Sequence, residues 1–530
     1  MKKITISITA CLLMLSFAGI AQTRLVEKVG KKGDEVVIPY EKYVLPNGLT
    51  VVVHEDHSDP MVHVDVTYHV GSAREEIGKS GFAHFFEHMM FQGSDNVADE
   101  EHFKIVTEAG GTLNGSTNRD RTNYYETVPS NQLEKMFWLE ADRMGFLLDA
   151  VTQRKFEIQR ETVKNERGQN YDNRPYGLVG EMIAKNLYPY GHPYSWLTIG
   201  YVEDLNRVDV NDLKNFFLRW YGPNNATLTV GGDVTAEQVV KLAEKYFGSI
   251  PRGAEVKDMK LGAPVLTADR YVTLVDNYAR IPQLVIAYPT VPSFHEDEAA
   301  LDALAEVIGQ GKNSMFYQEI VKNQKALNAS AFNSTSELAG EFRMQLTPSP
   351  GVSLADSRKL INEAIAAFEK RGVTDEEIDK KQGYFLFIKE KFTGAIEADM
   401  INSLQSVAGK VRQLAAYQTY TGNPNRIGEE LKRYTQVTKE DVMRVYNKYI
   451  KNKSAVIVSV VTKSEPDNIV AAENYKIDQS KYKAPDYGYA GLKYMKPEDK
   501  FDRTKMPGNG ENPVVKVPEF WKKDLDNGIN

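Results

Sequence analysis

The segment Val208-Asp-Val-Asn-Asp-Leu213 begins an internal repeat in this chain. The first copy continues with Phe216-Phe217, Trp220-Tyr221 and the β-branched run Ala226-Thr-Leu-Thr-Val230. The second copy has the same order: Val437-Thr-Lys-Glu-Asp-Val442, Val445-Tyr446, Tyr449-Ile450 and Ala455-Val-Ile-Val-Ser459. Each copy predicts an amphipathic helix, a polar turn and a strand. Such a unit could match by chance, but a true repeat is the better interpretation, and it predicts two related halves at about residues 39–255 and 268–462.

Strand and helix patterns follow one another in the first half without regular βαβ alternation. Strand-like patterns occur at Leu49–His54, Met61–Tyr68 and Asn114–Val128. Apolar residues at helical spacing occur at Phe82–Phe91, Leu133–Phe146 and Arg154–Arg167. This order predicts an α+β fold, with a mostly antiparallel sheet layered with helices in each half.

The composition is that of a folded soluble protein. The 530 residues include 65 basic and 72 acidic side chains, a net charge of −7, and 42% of residues are hydrophobic. These values exclude disordered chains, collagen and multi-span membrane proteins. The pI of 5.9, without a long Lys/Arg tract, argues against nucleic acid as a partner, because phosphate binding needs a concentrated basic surface.

Residues 1–21 are predicted to be an export signal, which makes the mature protein periplasmic or secreted. Lys2 and Lys3 precede the mostly apolar run Ile4–Ile20, and Gly19-Ile20-Ala21 offers a small-residue cleavage site. A membrane anchor is the alternative, but the run barely reaches spanning length and lacks a basic flank. Cys11, the only cysteine, loosely resembles a lipoprotein box but lies too close to the start of the chain. The mature chain would then have no membrane span, disulfide or thiolate metal site.

The regions outside the two halves have a different character. A linker is predicted at Arg252–Leu261, and residues 463–530 form a polar tail rich in Lys, Asp, Pro and Tyr. Near its end, Trp521–Ile529 resembles Glu41–Leu49, the turn before the first strand of the first half. Asn-Gly turns are common, so chance and the start of a further repeat are equal alternatives for this match.

The chemistry concentrates in Gly81-Phe-Ala-His84-Phe-Phe-Glu87-His88-Met-Met-Phe91. On a helix, His84 and His88 lie one turn apart on the same face, so both imidazoles can reach one ion. Glu87 points to nearly the same side. Two neutral nitrogen ligands, an open position for water and a carboxylate that can take a proton are what a hydrolytic zinc site needs. The order H-x-x-E-H is the inverse of the common zincin motif, and the alternative is two packing or surface histidines.

A catalytic zinc site needs a third protein ligand, which without cysteine must be His, Asp or Glu. The predicted helix at Arg154–Arg167 offers Glu157, Glu161 and Glu166. Periodicity does not choose among them, because Glu residues on such a helix usually pair with neighbouring Lys and Arg in solvent.

From about Tyr43 to Val460 the chain resembles the pitrilysin/insulinase-type metallopeptidases, the inverzincin family that includes the mitochondrial processing peptidase. Besides H-x-x-E-H, the resemblance rests on these motifs: Gly93-Ser94, Gly110-Gly-Thr-Leu-Asn-Gly-Ser-Thr117, Thr122-Asn-Tyr124, Tyr188-Pro-Tyr190, Ile199-Gly200 and Tyr221-Gly-Pro-Asn-Asn225. It implies two homologous α/β-roll halves in a clamshell, one zinc ion per chain, and hydrolysis of short or unfolded peptides.

The resemblance also assigns individual residues. The family's third ligand is the last Glu of F-E-x-E-R-x-x-V-x-x-E, a stretch that aligns with Phe156–Glu166 and so selects Glu166. A Glu that supports the ligands in the family is Gln159 here, which carries no charge. The substrate would add a strand along Gly110–Thr117, with Asn114 beside the cleavage site. The candidate substrate-binding residues are Gly111, Thr112, Leu113 and Asn114.

The chain departs from the family in its second half. There the family has an Arg and a Tyr that hold the substrate carbonyl, whereas Val321 and Asn328 occupy the matching positions here. Neither can supply the missing charge or phenol. The resemblance therefore implies a heterodimer with a second inverzincin-like subunit, or a covalent half, that carries the Arg/Tyr pair. The expected activity is that of a metalloendopeptidase with Glu87 as general base, and the alternative is a non-catalytic assembly subunit of a peptidase-like complex.

Overall fold

The computed structural model describes residues 22–33, 35–373, 402–514, 522–523 and 526. The predicted export signal, with Cys11, and most of the Trp521–Ile529 segment lie outside these residues. The described part contains two β-sheets covered by helices, followed by a long segment without helix or strand, residues 463–514. No helix within the described ranges is long and apolar enough to cross a membrane.

The first sheet has seven strands in the order β1-β2-β3-β7-β4-β6-β5. They are β1 Arg24–Val29, β2 Tyr40–Val44, β3 Thr50–Glu55, β4 Met61–Tyr68, β5 Thr112–Thr117, β6 Thr122–Pro129 and β7 Ala226–Gly232. All neighbours are antiparallel except β3 and β7. Every residue of the central strand β7 is buried, because both faces of the sheet are covered there.

The second sheet has five strands in the order β10-β11-β9-β12-β8. They are β8 Arg270–Asp276, β9 Gln283–Thr290, β10 Ala326–Thr335, β11 Gly340–Pro348 and β12 Val456–Thr462. Strand β12 is parallel to β8 and antiparallel to β9, as β7 is to β3 and β4. The second sheet therefore repeats the topology of the last five strands of the first sheet.

Thirteen α-helices occur in the described residues. In the first half they are α1 Phe82–Met89, α2 Glu101–Glu108, α3 Leu133–Gly145, α4 Gln153–Arg167, α5 Val179–Leu187, α6 Val202–Arg207, α7 Val210–Trp220 and α8 Ala236–Phe247. In the second half they are α9 Glu298–Gly309, α10 Leu354–Arg371, α11 Val407–Thr421, α12 Ile427–Thr435 and α13 Lys439–Tyr449.

The repeated segment forms equivalent elements in the two halves. Its first copy is α7 followed by β7, and its second copy is α13 followed by β12. Both helices begin with a capping box, formed by Asp209 and Asp212 in α7 and by Thr438 and Asp441 in α13. In each case the first residue of the box accepts a hydrogen bond from the backbone N–H of the second, which fixes where the helix starts.

The two halves exchange helices. Helix α5 of the first half packs on the second sheet, where Ile183 and Leu187 join one buried cluster with Val285 and Val458. Helix α11 of the second half packs on β7, β4 and β3 of the first sheet. Each sheet thus buries one of its faces against a helix that belongs to the other half.

The tail, residues 463–514, is an extended strap that begins against the second half, where the N–H of Val470 donates to Ser459 Oγ at 3.0 Å, and then crosses the first half. Trp138 Nε1–H donates to the carbonyl of Arg503 at 2.8 Å, and Arg503 itself is buried. Trp220 Nε1–H donates to the hydroxyl of Tyr489 at 3.0 Å. The segment has no apolar helix or strand that packs on the first half. Side-chain hydrogen bonds and aromatic contacts attach it instead.

The mixed architecture of two sheets and helices confirms the predicted fold class. Strand β1 lies before the predicted start of the first half. It was not predicted, because its residues are mostly exposed and carry no apolar alternation. The predicted domain boundaries stay a prediction. The predicted linker, Arg252–Leu261, contains neither helix nor strand.

Candidate metal centre

Helix α1 carries His84, Glu87 and His88, and its other face is buried. It begins after Gly81, whose φ of 92° is left-handed. Phe85 stacks on Phe156 of α4 with ring centroids 5.0 Å apart. The apolar face of α1 thus packs against α4 and the core, while the histidines face the opposite direction.

Helix α4 brings a carboxylate to the two histidines. Glu166 Oε2 lies 3.5 Å from His84 Nε2 and 3.3 Å from His88 Nε2. A tetrahedral zinc ion with ligand bonds of about 2.1 Å places its ligand atoms roughly 3.4 Å apart. The spacing of this group therefore matches the donor set of a zinc site.

The protonation states also suit a metal. Burial lowers the pKa of His84 to about 4, and the neighbouring imidazole of His88 adds to that shift, so the imidazole of His84 is neutral at pH 7. A hydrogen bond from His88 lowers the pKa of Glu166, which keeps its carboxylate ionised. Neutral imidazole and ionised carboxylate are the forms that bind zinc.

Glu87 lies between α1 and strand β5. A Cβ at Gly115 would be 3.3 Å from Glu87 Oε1 and 3.1 Å from Phe91 Cε2, so the glycine permits the close approach of β5. Burial raises the pKa of Glu87, and a hydrogen bond with Thr117 opposes that shift. A carboxylate with a raised pKa is a stronger base. Gly115 and Thr117 were not among the predicted site residues, although both belong to the Gly110–Thr117 motif.

Strand β5 is one of the two terminal strands of the first sheet, and among the described residues it pairs only with β6. It contains three of the predicted substrate-binding residues, Thr112, Leu113 and Asn114, and Gly111 directly precedes it. Asn114 Oδ1 accepts the backbone N–H of Gly115 at 2.9 Å. The edge of β5 that faces away from β6 lies near Glu87, and an added strand could pair with it there.

The other acidic candidates on α4 have different partners. Glu157 pairs with Arg160 at 2.9 Å, and Glu161 pairs with Lys164 at 2.8 Å. Gln159 is buried two turns before Glu166, on the same side of the helix. The structure brings Glu166, and neither Glu157 nor Glu161, into the histidine group.

Val321 and Asn328 belong to the second half. Val321 packs against the core of that half and ends the turn Tyr317–Val321. Asn328 is exposed on β10, the outer strand of the second sheet. Strand β10 is the topological equivalent of β5, so Asn328 lies on the second half's counterpart of that strand.

A second group of possible ligands, His102, Glu126 and Glu140, is fully buried. The guanidinium of Arg143 forms ion pairs with both carboxylates and lies 4.2 Å from the ring centroid of Tyr124. Two buried carboxylates need a nearby positive charge, and Arg143 supplies it in the place where a metal ion would otherwise do so. Sequence patterns did not predict this ionic cluster, because its members come from two helices and one strand.

Comparisons with known proteins decide the family. The family model described as "Insulinase (Peptidase family M16)" matches residues 50–192, and the model "Peptidase M16 inactive domain" matches residues 207–383. The zinc protease PqqE of Helicobacter pylori is 31% identical over 425 residues, which are 79% of this chain and 92% of that protein. The chain belongs to peptidase family M16.

Solved structures resemble this M16 chain over most of its length. A protease from Helicobacter pylori superposes with a TM-score of 0.71 at 28% identity, covering 80% of this chain and 100% of the other. The periplasmic protease PqqL of Escherichia coli has a TM-score of 0.63 at 16% identity, covering 83% of this chain but 49% of PqqL. The fold is therefore that of two related α/β halves in a clamshell, as the resemblance implied.

Proposed function

We propose that this M16 chain is a zinc-dependent endopeptidase that hydrolyses short or unfolded peptides. The observation that carries the proposal is the convergence of His84, His88 and Glu166 from two helices, with Glu87 beside them under β5. Homologues that are named zinc proteases support the same activity.

One zinc ion per chain fits this donor set. The two distances of 3.3 and 3.5 Å from Glu166 Oε2 to the imidazole nitrogens leave room for an ion of its size. At pH 7 His84 is neutral and Glu166 is ionised, so neither of these two ligands has to lose a proton when zinc binds. When bound, zinc lowers the pKa of water and polarises a carbonyl group.

Glu87 is the general base in this proposal. Its carboxylate accepts the proton of the attacking water and later returns it to the leaving amine. Burial raises the pKa of Glu87, which strengthens it as a base at neutral pH. Gly115 has no side chain, so strand β5 can lie close to the Glu87 carboxylate and help to bury it.

The substrate would pair with the outer edge of β5 as an additional strand. Backbone hydrogen bonds of this kind give affinity with little sequence preference. We assign Gly111, Thr112 and Leu113 to backbone recognition and Asn114 to the position beside the scissile bond. Extended peptides can make these contacts, whereas a folded protein must first unfold locally.

A partner would complete the oxyanion side of the site. Val321 and Asn328 carry neither a positive charge nor a phenol, so the second half provides no such donor at these positions. This chain is similar to 49% of PqqL, which fits one polypeptide working with a second half. We propose a second M16-type subunit, or a covalent half, that supplies an Arg and a Tyr.

Export follows from the sequence of residues 1–21 and agrees with the periplasmic location named for PqqL. We therefore propose a periplasmic or secreted mature protein. The peptide pool of such a compartment contains short, unfolded substrates.

A non-catalytic assembly subunit is the alternative function. It is favoured by Val321 and Asn328 and by the match of residues 207–383 to an inactive M16 domain. The complete group of His84, Glu87, His88 and Glu166 favours catalysis, because a purely structural role would not require a general base.

The test measures zinc and activity on the mature chain, residues 22–530. Metal analysis should give about one zinc per chain, and a fluorogenic unstructured peptide should be cleaved, weakly by the chain alone and faster with its co-purifying partner. A chain that binds zinc but cleaves no peptide, alone or with the partner, would establish the assembly-subunit alternative. A chain that binds no zinc would refute the metal centre itself.

A further inference from the structure

The start of helix α1 has no side-chain cap of its own. The N-cap position is Gly81, and a Cβ there would lie 2.8 Å from the carbonyl oxygen of Ile199. A serine or aspartate, the usual capping residues, therefore cannot replace this glycine without displacing the neighbouring backbone. The free N–H groups of the first turn must be satisfied from elsewhere.

Glu75 takes this role from outside the helix. Its Oε2 accepts the N–H of Gly81 and its Oε1 accepts the N–H of Ala83, both at 2.8 Å. Trp196 Nε1–H donates to Oε2 at 2.9 Å. Glu75 is 2% exposed, so these hydrogen bonds are shielded from water.

The segment that contains Trp196 also reaches helix α4. Arg167, the residue after Glu166, donates a hydrogen bond to the carbonyl of Gly200. One residue further on, the N–H of Tyr201 donates to Ser80 Oγ at 2.9 Å, directly before α1. The segment from Trp196 to Tyr201 thus connects the start of α1 with the end of α4.

We propose that Glu75 is a positioning residue for the metal centre. Glu75 holds the start of α1 against the Trp196–Tyr201 segment, and Arg167 bonds the same segment to the end of α4. These bonds together fix the positions of His84 and His88 relative to Glu166. The inference rests on the proposed zinc function. Ligands must be held within about 0.5 Å of their working geometry, and α1 has only eight residues, so bonds that fix its first turn bear directly on the positions of His84 and His88.

Glutamine is the informative substitution at position 75. Both oxygens of Glu75 face N–H donors, and they can accept in either protonation state of the carboxyl group. Burial raises the pKa of that group to about 8, while the three N–H donors oppose the shift. A glutamine would turn its own NH₂ towards either Gly81 or Ala83 and lose one of the two backbone bonds.

The experiment compares Glu75→Gln with the matched control Glu55→Gln. Glu55 also accepts a backbone N–H at a helix start, that of Ala236 at 2.6 Å, but on helix α8. For each purified mature chain we would measure zinc affinity by chelator competition, the visible spectrum of the Co²⁺-substituted protein, and kcat and KM separately.

Glu75→Gln should weaken zinc binding by about 10- to 100-fold, the usual effect of removing a residue that supports ligands. It should also change the Co²⁺ spectrum and lower kcat, with KM within twofold of wild type. Glu55→Gln should leave affinity and spectrum unchanged. If Glu75→Gln does not fold, Trp196→Phe removes the Nε1–H bond together with part of the buried ring, leaves both backbone bonds to Glu75, and should shift affinity and spectrum in the same direction by a smaller amount.

Wild-type zinc affinity and an unchanged Co²⁺ spectrum in the folded Glu75→Gln chain, or in Trp196→Phe where the first variant does not fold, would overturn the proposal. An equal loss of affinity in Glu55→Gln would also overturn it, because the effect would then be general destabilisation. A wild-type chain that binds neither zinc nor Co²⁺ would instead refute the proposed function. The two failures are therefore distinguishable.

Discussion

Replacing Glu87 with glutamine should abolish turnover and leave the metal in place. The substitution is isosteric, which matters because Gly115 leaves little free space around this side chain. Glu87 is not part of the His84, His88 and Glu166 group whose ligand atoms converge. The amide cannot take a proton from water, so only the general-base step is lost.

The size of the effect follows from the environment of the carboxylate. A positioned general base contributes about 10²- to 10⁴-fold to a rate. Burial raises the pKa of Glu87 towards the working pH, which places this residue at the upper end of the range. We therefore expect kcat to fall by roughly 10³- to 10⁴-fold, about 4 to 5.5 kcal/mol of barrier at 1.36 kcal/mol per tenfold change.

The assay pairs Glu87→Gln with Glu166→Gln. Zinc binding to four-ligand sites amounts to about 10–16 kcal/mol, or roughly 3–4 kcal/mol per ligand, so Glu166→Gln should weaken zinc binding by roughly 10²- to 10³-fold. Chelator competition gives the zinc affinity, and peptide hydrolysis at saturating zinc gives kcat. Equal zinc loss in both variants would refute these role assignments.

Four further outcomes can be measured. Chelators should abolish peptide hydrolysis and zinc should restore it, while thiol reagents should have no effect, because the only cysteine, Cys11, lies in the predicted export signal. A partner chain with the Arg/Tyr pair should raise kcat by roughly 100-fold, the effect of one oxyanion donor; no increase would contradict the two-chain site. Burial raises the pKa of Asp302 to about 6, above its unfolded value, so its contribution to stability is present below pH 4 and lost as pH rises through 6. The free energy of unfolding, measured in urea, should therefore vary with pH by roughly 2–3 kcal/mol less in Asp302→Asn than in the wild-type chain. Trp138→Phe removes the bond to the Arg503 carbonyl and should lower the free energy of unfolding by about 1–3 kcal/mol and speed proteolysis within the strap.

Much of α1 could be predicted from the sequence because two independent periodic signals coincide there. Its phenylalanines pack on one face, and His84 and His88 lie one turn apart on another. The strand Met61–Tyr68 was predicted with the observed bounds, since its apolar residues alternate. The repeat was visible because α7 and α13 carry apolar residues at matching positions and each is followed by a polar turn and a β-branched strand.

Other features depend on tertiary contacts that leave no local pattern. Glu157, Glu161 and Glu166 share one helix, and only the packing of α4 against α1 brings Glu166 to the histidines. The strap is polar and aperiodic, so its attachment through bonds such as that from Trp220 Nε1–H to the Tyr489 hydroxyl could not be predicted. The capping role of Glu75 was missed for the same reason, as the helix it caps begins seven residues later, at Phe82.

The exchange of helices connects the second half to the candidate metal centre, although the described residues of that half supply none of its three ligand candidates. Arg167, next to Glu166, also forms an ion pair of 2.7 Å with Glu181 of helix α5. The apolar face of α5, with Ile183, is buried against the second sheet. The end of α4 is thereby attached to a helix whose own position depends on the second half. Loosening the second sheet should consequently move Glu166 away from the two histidines before it disturbs α1, because α1 packs within the first half.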